Sequence, residues 1–314
     1  MSQRALVFTL CALSVAACSG SPAPGSDPGE QQDQGSSSPA DMAQALPPGT
    51  RLLRLVASDY NIKPGTEGYQ CQRVTIPSDL YILKITPVSP NGVHHEVLAI
   101  DPGSSPDGMS SCGALDPSWT TLFASGVGSP SLTMPKGIAF KVAAGSKIVL
   151  DLHLFNARPT ESITGTAAVD VLVADSNEGY QLAALPFIGP LAFTIPAASR
   201  SVSASCTMSN DTEFFAVFPH MHTTGQHMKI TAGKTVVWDQ DYNFTEQKFG
   251  QFPDWNGPEK VALKKGEKIS VTCTYTQEGV GKKFGDSTTD EMCFAISYVT
   301  PAITTFMGTP FCAF

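Results

Sequence analysis

The chain has 314 residues, of which 42% are hydrophobic and 15% charged. Its formal net charge of −8, with no basic stripe, argues against nucleic acid as a partner. Beyond the first residues no stretch is long and apolar enough to be read as a membrane-spanning helix.

The N-terminus comes first. Met1–Arg4 carries one positive charge, and Ala5–Ala17 is apolar but too short to span a bilayer. Val15-Ala16-Ala17-Cys18 places small residues just before a cysteine, so residues 1–18 read as a signal peptide. The segment resembles the bacterial lipobox, whose cysteine is lipidated and becomes the new N-terminus. That resemblance implies Cys18 as the lipidation site and an exported cell-envelope lipoprotein, on the periplasmic or outer-membrane face. Such a chain is held at the membrane by its lipid alone. A plain secretory signal cut near the same place is the alternative. Ser19, where Asp would favour inner-membrane retention, points to the outer membrane. Residues 19–49 are rich in Ser, Pro, Gly, Gln, Asp and Ala, and cannot bury enough surface to offset their ordering entropy. They read as a disordered linker, with order beginning near Thr50.

About 265 residues remain, enough for two ordinary domains. Val74–Ile76, Leu80–Ile85, His95–Ile100, Lys147–Leu154, Ala167–Val173, Phe214–Phe218, Met228–Ile230, Thr235–Trp238, Lys268–Tyr275 and Phe294–Val299 read as short strands. Pro, Gly, Asn and Asp separate them, and no long segment has helical periodicity. An all-β fold of antiparallel β-sandwiches is expected. Turn residues between Ser176 and Pro196 mark a boundary, giving domains at 50–180 and 181–314. Of the eight cysteines, Cys11 and Cys18 belong to the leader. Cys71, Cys112, Cys206, Cys273, Cys293 and Cys312 remain, and an even number in an exported chain implies three disulfides. Spacing alone leaves fifteen connectivities open.

Six histidines are present. His94-His95 is an adjacent pair after the turn Ser89-Pro90-Asn91-Gly92, His153 lies in an apolar strand, and His220-Met221-His222 sits on or next to the strand ending at Phe218. Residues i and i+2 of a strand share a face, so an H-x-H can offer two imidazoles to one metal. An adjacent pair points to opposite faces unless His94 lies where the chain leaves the strand. His153 could supply a third nitrogen. Each motif alone is weak, because a lone strand histidine is commonly a satisfied core residue. His227 would face the other way on a continuing strand and takes no role. Imidazole suits copper, zinc, iron and nickel alike, whereas a thioether favours Cu(I). Nine methionines are present, and Met292, in Thr289-Asp290-Glu291-Met292-Cys293, stands out modestly against the alternative of core filler.

Taken together these fragments resemble the copper type II, ascorbate-dependent monooxygenases, which include peptidylglycine- and dopamine-hydroxylating enzymes. The series is Tyr69-Gln70-Cys71, Gly92-Val93-His94-His95-Glu96-Val97, Asp151-Leu152-His153 with Asn156, His220-Met221-His222-Thr223-Thr224-Gly225, Val271-Thr272-Cys273-Thr274-Tyr275 and Asp290-Glu291-Met292-Cys293. It covers roughly residues 50–314. The resemblance implies two jelly-roll-like domains and two coppers per chain, facing each other across a cleft. His94, His95 and His153 would hold the electron-donating copper. His220, His222 and Met292 would hold the catalytic copper that meets dioxygen. Bridges Cys71–Cys112, Cys206–Cys312 and Cys273–Cys293 are implied as well.

The implied activity is hydroxylation of a C–H bond of a small-molecule substrate, with dioxygen and with ascorbate or another one-electron reductant. The peptide-amidating branch holds its substrate's carboxylate with Arg, Asn and Tyr at positions matching Phe218, Phe294 and Ile296 here. None of these can pair with a carboxylate, so a neutral or aromatic substrate is expected instead. A non-catalytic copper-binding or copper-handling surface lipoprotein is the alternative. A β-sandwich adhesion or glycan-binding module with incidental histidines is a third reading. Oligomeric state is not read from the sequence.

Overall fold

The computed structural model describes residues 46–314 apart from 114–115, 117, 127, 177–178, 246–249, 252–259, 286, 303–310 and 313–314. The leader, Cys18 and the linker to residue 45 lie outside the described residues. Gln44–Phe314 form one compact unit.

The first strands are β1 (Thr50–Ile62), β2 (Glu67–Thr75), β3 (Leu80–Val88), β4 (Val93–Asp101), β5 (Gly108–Ser111), β6 (Thr120–Gly126), β7 (Leu132–Thr133), β8 (Ile138–Val142), β9 (Lys147–Phe155), β10 (Ile163–Ala174) and β11 (Gln181–Leu182). They form one sheet ordered β1-β10-β3-β8-β11, with β7 beside β3, and a second ordered β5-β2-β9-β4-β6. Then come β12 (Phe187–Ile188), β13 (Ser201–Thr207), β14 (Thr212–His220), β15 (Gly225–Ala232), β16 (Thr235–Asp241), β17 (Gly250–Gln251), β18 (Val261–Leu263), β19 (Lys268–Tyr275), β20 (Phe294–Thr300) and β21 (Phe311–Cys312). These make a sheet ordered β17-β14-β20-β12-β21, with β18 beside β14, and another ordered β13-β19-β15-β16. Pairing is antiparallel except for β11 with β8 and β12 with β21.

Every strand expected from the sequence falls on one of these, with Val74–Ile76 running one residue past the end of β2. The expected strands do not include β1, β6, β8, β13 or the shorter strands of two to four residues. β13, Ser-Val-Ser-Ala-Ser-Cys-Thr, is mostly small polar residues and gives little β signal. The chain passes between the two sets of sheets at Ala183, since β11 still pairs with β8 while Ala184 already bridges Val299.

Strand alternation sets the layers. In β9, Ile148, Leu150, Leu152 and Leu154 enter the core with Ile82, Ile85, Val169 and Val171 of the facing sheet. Val149, Asp151 and His153 of β9 therefore turn to the outer face. In the later sheets, Met228, Ile230, Val271 and Cys273 pack on Phe214, Val217 and Val299. The other face of β14 and β20 is not solvated. Phe215, Phe218, Phe294, Ile296 and Tyr298 join the core of the first sheets. The Ala124 amide donates to Tyr298 Oη at 3.3 Å, and the Tyr298 ring meets Phe140. The β14–β20 pair is thus covered on both sides.

Cys71–Cys112 ties β2 to the segment after β5, and Cys273–Cys293 ties β19 to the residue before β20. These are two of the pairings the resemblance implied. Cys206 is also disulfide-bonded. The side chain of Cys312, its expected partner, lies outside the described residues.

Tyr298 is fully buried where the two sets of sheets meet, so Tyr298→Ala opens a cavity there. It should lower unfolding free energy by about 3–5 kcal/mol in denaturant titration. An unchanged midpoint would mean the seam contributes little to stability.

Candidate metal centre

The first histidine group grows from a turn and a bulge. Gly92 has φ of +98°, which a side-chain-bearing residue rarely adopts, and the turn closes with the Val93 amide donating to Pro90 O at 3.1 Å. β4 then pairs with β9, with a register shift between Val93 and His95. His94 is the extra residue of this irregularity, and a bulge re-aims a side chain. His95 lies opposite His153 in the ladder, with ring centroids 4.7 Å apart. The His94 ring is 5.3 Å from each of the other two. One ring nitrogen from each of the three lies within 4.8 Å of the others.

Two neighbours fix His153. Tyr69, its ladder partner on β2, stacks on it at 4.6 Å and 11°. Glu67 Oε2 lies 3.3 Å from His153 Nε2. Buried Asn156 secures this edge: its amide donates to the carbonyls of Ile62, Lys63 and Glu161 and its backbone N–H to Thr66 O, while its side-chain oxygen accepts from the Arg158 amide.

The second group sits at the end of β14. His220 is its last residue, Met221 enters the adjoining core, and His222 follows in a turn closed by Gly225 N–H donating to His222 O. The two rings are 5.3 Å apart and nearly perpendicular. A Cβ at Gly225 would come within 2.8 Å of both Met221 and Tyr242, so only glycine fits this return. Tyr242 Oη donates to Met221 O. The wholly buried Glu291 accepts from the amides of His222 (3.0 Å) and Thr224 (2.7 Å) and from the Thr224 hydroxyl (2.6 Å). His222 Nδ1 is 3.3 Å from Asp290 O. Met292 follows directly and stands two residues before Phe294, the ladder partner of His220. Its carbonyl accepts from Tyr275 Oη at 2.9 Å.

Burial holds the imidazoles neutral. It pushes His94 and His222 down to about 4, with His153 adding to the effect at His94. Burial also lowers His95 far below its usual value and lowers His153. Neutral imidazole is the form that ligates a metal. His94 Nε2 and His153 Nδ1 are buried with no hydrogen-bond partner. For His153 this leaves a lone pair toward its neighbours while the opposite nitrogen faces a carboxylate, the arrangement of a metal-binding histidine with its outer support. The donors fit a copper ion.

Three expectations need correction. His94 does not lie where the chain leaves the strand; it lies within β4, and the bulge turns it. His222 is off the strand, so the turn held by Glu291, not the pleat, brings the H-x-H rings together. His227 is not on a continuing strand. The chain reverses, β15 belongs to another sheet, and His227 sits between Asp239 (2.9 Å) and Asp241 (3.0 Å) at the surface.

The two groups adjoin: the rings of His95 and His220 are 5.8 Å apart, and Phe244 lies 4.4 Å from His94. Phe218, Phe294 and Ile296 are buried in the seam, with Phe218 stacked 6.2 Å from His220. Glu67 and Phe244 were not singled out from the sequence. Nothing local marks them, because each reaches its histidine from a remote part of the chain. A second cluster, Cys71, Cys112 and Asp151, offers no thiolate, since its sulfurs form a disulfide.

Residues 188–307 match the C-terminal domain of the copper type II ascorbate-dependent monooxygenases. No curated protein matches the chain. Among solved structures, the major capsid protein P2 from bacteriophage PM2 is 8% identical, with a TM-score of 0.33 over 80% of this chain and 97% of that one. PNGF-II is 9% identical, with a TM-score of 0.34 over 74% of this chain and 59% of that one. Likenesses this remote say nothing of function.

The lowered histidines give a pH signature without metal. Between about pH 6.5 and 4 the unfolded chain binds protons that the folded imidazoles refuse, so they make stability fall on acidification. Glu96 and Asp151, both raised to about 7 by burial, act in the opposite sense over that range. The comparison of parent with His222→Asn isolates one imidazole. The stability difference should change by up to about 1.4 kcal/mol per pH unit in that window. Parallel stability–pH curves would contradict a depressed His222.

Proposed function

We propose that the chain is a copper-dependent monooxygenase that hydroxylates a C–H bond of a small neutral or aromatic substrate, using dioxygen and ascorbate or another one-electron reductant. The match of residues 188–307 to the C-terminal domain of that monooxygenase family carries the reading. The geometry of the two histidine groups supports it. In this reading His94, His95 and His153 hold one copper, and His220, His222 and Met292 hold the other. Copper supplies one-electron redox chemistry and a reaction centre for dioxygen.

The chain's own part is orientation and shielding. The β4–β9 ladder and the bulge at His94 fix three imidazoles before any ion binds. Burial keeps them neutral at physiological pH. The second group adds a softer donor at Met292, and a thioether favours Cu(I). Phe218 and Phe244 put aromatic surface against His220 and His94, which supports a substrate without charge. The disulfides Cys71–Cys112 and Cys273–Cys293 support an exported chain, since such bridges persist in oxidising compartments. With Cys18 lipidated, the enzyme would work at the cell envelope.

The test is copper content and oxygen uptake on the copper-reconstituted protein, with ascorbate and a panel of small aromatic compounds. Two coppers per chain are expected, with substrate-dependent uptake that His220→Ala and Met292→Leu reduce at least 100-fold, on the order of 2.7 kcal/mol of barrier. Two coppers without substrate-dependent uptake would favour the copper-handling alternative. No specific copper binding would end both readings.

A further inference from the structure

Glu291 is a buried side chain that joins the two segments expected to ligate the second copper, beside the contacts of Thr223 Oγ1 with Thr288 O and of His222 Nδ1 with Asp290 O. It precedes Met292 in the chain, and its carboxylate reaches across to the turn after His220. The side chain is 0% exposed, so it is not a solvated surface acid. Both oxygens are used: Oε2 accepts from the His222 amide at 3.0 Å, and Oε1 accepts from the Thr224 amide at 2.7 Å and its hydroxyl at 2.6 Å. Backbone amides turned toward one anion make a concave site that a carboxylate fills well. The packing leaves little freedom. A Cβ at Gly279 would approach Thr224 Oγ1 to 2.6 Å, so the Thr224 side chain is pressed into place from behind. The Thr276 amide donates to Thr224 O at 2.9 Å and holds the same turn from β19's side.

His222 has left the strand, so β pairing no longer fixes its backbone. Its amide is held by this carboxylate, its carbonyl accepts from the Gly225 amide, and its ring Nδ1 lies near Asp290 O. Two strand ends that carry donors are thereby tied by one buried group.

We propose that Glu291 is a positioning residue that sets the His222 imidazole against the Met292 thioether and so determines the affinity of the second site for Cu(I). The inference rests on the copper reading above. Glu291→Gln keeps the size of the side chain but places an NH2 group against N–H donors, so at least one of the three contacts is lost. Loss of an outer support of this kind weakens metal binding 10–100-fold.

Anaerobic Cu(I) titration against a competing chelator, with copper X-ray absorption for sulfur scattering, makes the test. The parent should take two Cu(I) per chain and show a thioether contribution. In a Glu291→Gln chain that unfolds cooperatively, the first affinity should stay and the second should fall about 10–100-fold, with the sulfur contribution reduced. Both affinities within twofold of the parent, with unchanged sulfur scattering, would overturn the proposal. Should Glu291→Gln fail to fold, Thr224→Val decides, because it removes only the hydroxyl contact. A loss of about threefold or more at the second site upholds the proposal, and no loss overturns it. A parent that takes up no sulfur-contacted Cu(I) overturns the copper reading itself, and this inference with it.

Discussion

The antiparallel pair β14–β20 is buried on both faces, and the placement of His220 beside the first histidine group depends on that. One face of the pair closes the core of the later sheets through Phe214, Val217 and Val299. The other closes against the first sheets through Phe215, Phe218, Phe294, Ile296 and Tyr298. Fully burying each such side chain stabilises by roughly 1.5–3 kcal/mol, so the seam is a substantial part of the fold. His220 is the last residue of β14 and pairs with Phe294. The seam therefore delivers His220 to the edge of the first sheets, where its ring lies 5.8 Å from that of His95.

The sequence held more of this than a strand count. Phe214-Phe215-Ala216-Val217-Phe218 and Phe294-Ala295-Ile296 have no polar residue at alternate positions. A run of that kind marks a strand covered on both sides. β19 is the contrast: its burial alternates strictly, as a strand with one solvated face should. The all-β class, the strands richest in β-branched residues and two cysteine pairings were legible, the pairings through family resemblance alone. What was not legible is how the histidines are aimed. Adjacent residues such as His94 and His95 share a face only if the ladder slips by one. A slip depends on tertiary register, of which the Asn91-Gly92 turn gives only a hint. The alternation rule likewise failed at His222, because the chain leaves the sheet two residues earlier than the rule requires.

The two groups are built by different means. His95 and His153 are cross-strand neighbours in a continuous ladder, and Tyr69 stacks on the far side of His153. Their spacing follows from the sheet. His222 and Met292 are held by contacts specific to their own side chains and turns: Glu291 to two amides, Tyr242 to Met221 O, Tyr275 to Met292 O. Ladder register therefore sets the first group, whereas single side-chain contacts set the second.

Holding these rings ready has an energetic cost, and that cost argues for a ligand. A buried polar atom without a partner costs about 1–3 kcal/mol, and His94 Nε2 and His153 Nδ1 are both in that condition. Glu96 Oε1 accepts from Ser89 and Ser125, while Glu96 Oε2 and Thr121 Oγ1 share the condition of the two ring nitrogens. Burial lowers the proton affinity of all three rings, and neighbouring imidazoles lower His94 and His95 further, whereas Glu67 raises that of His153. A proton relieves His94 and His95 poorly, because burial disfavours the charge it brings. A soft cation shared among the rings relieves them better, since each lone pair then gains a partner and the charge is spread over the donors. Ion binding and fold stability are then linked.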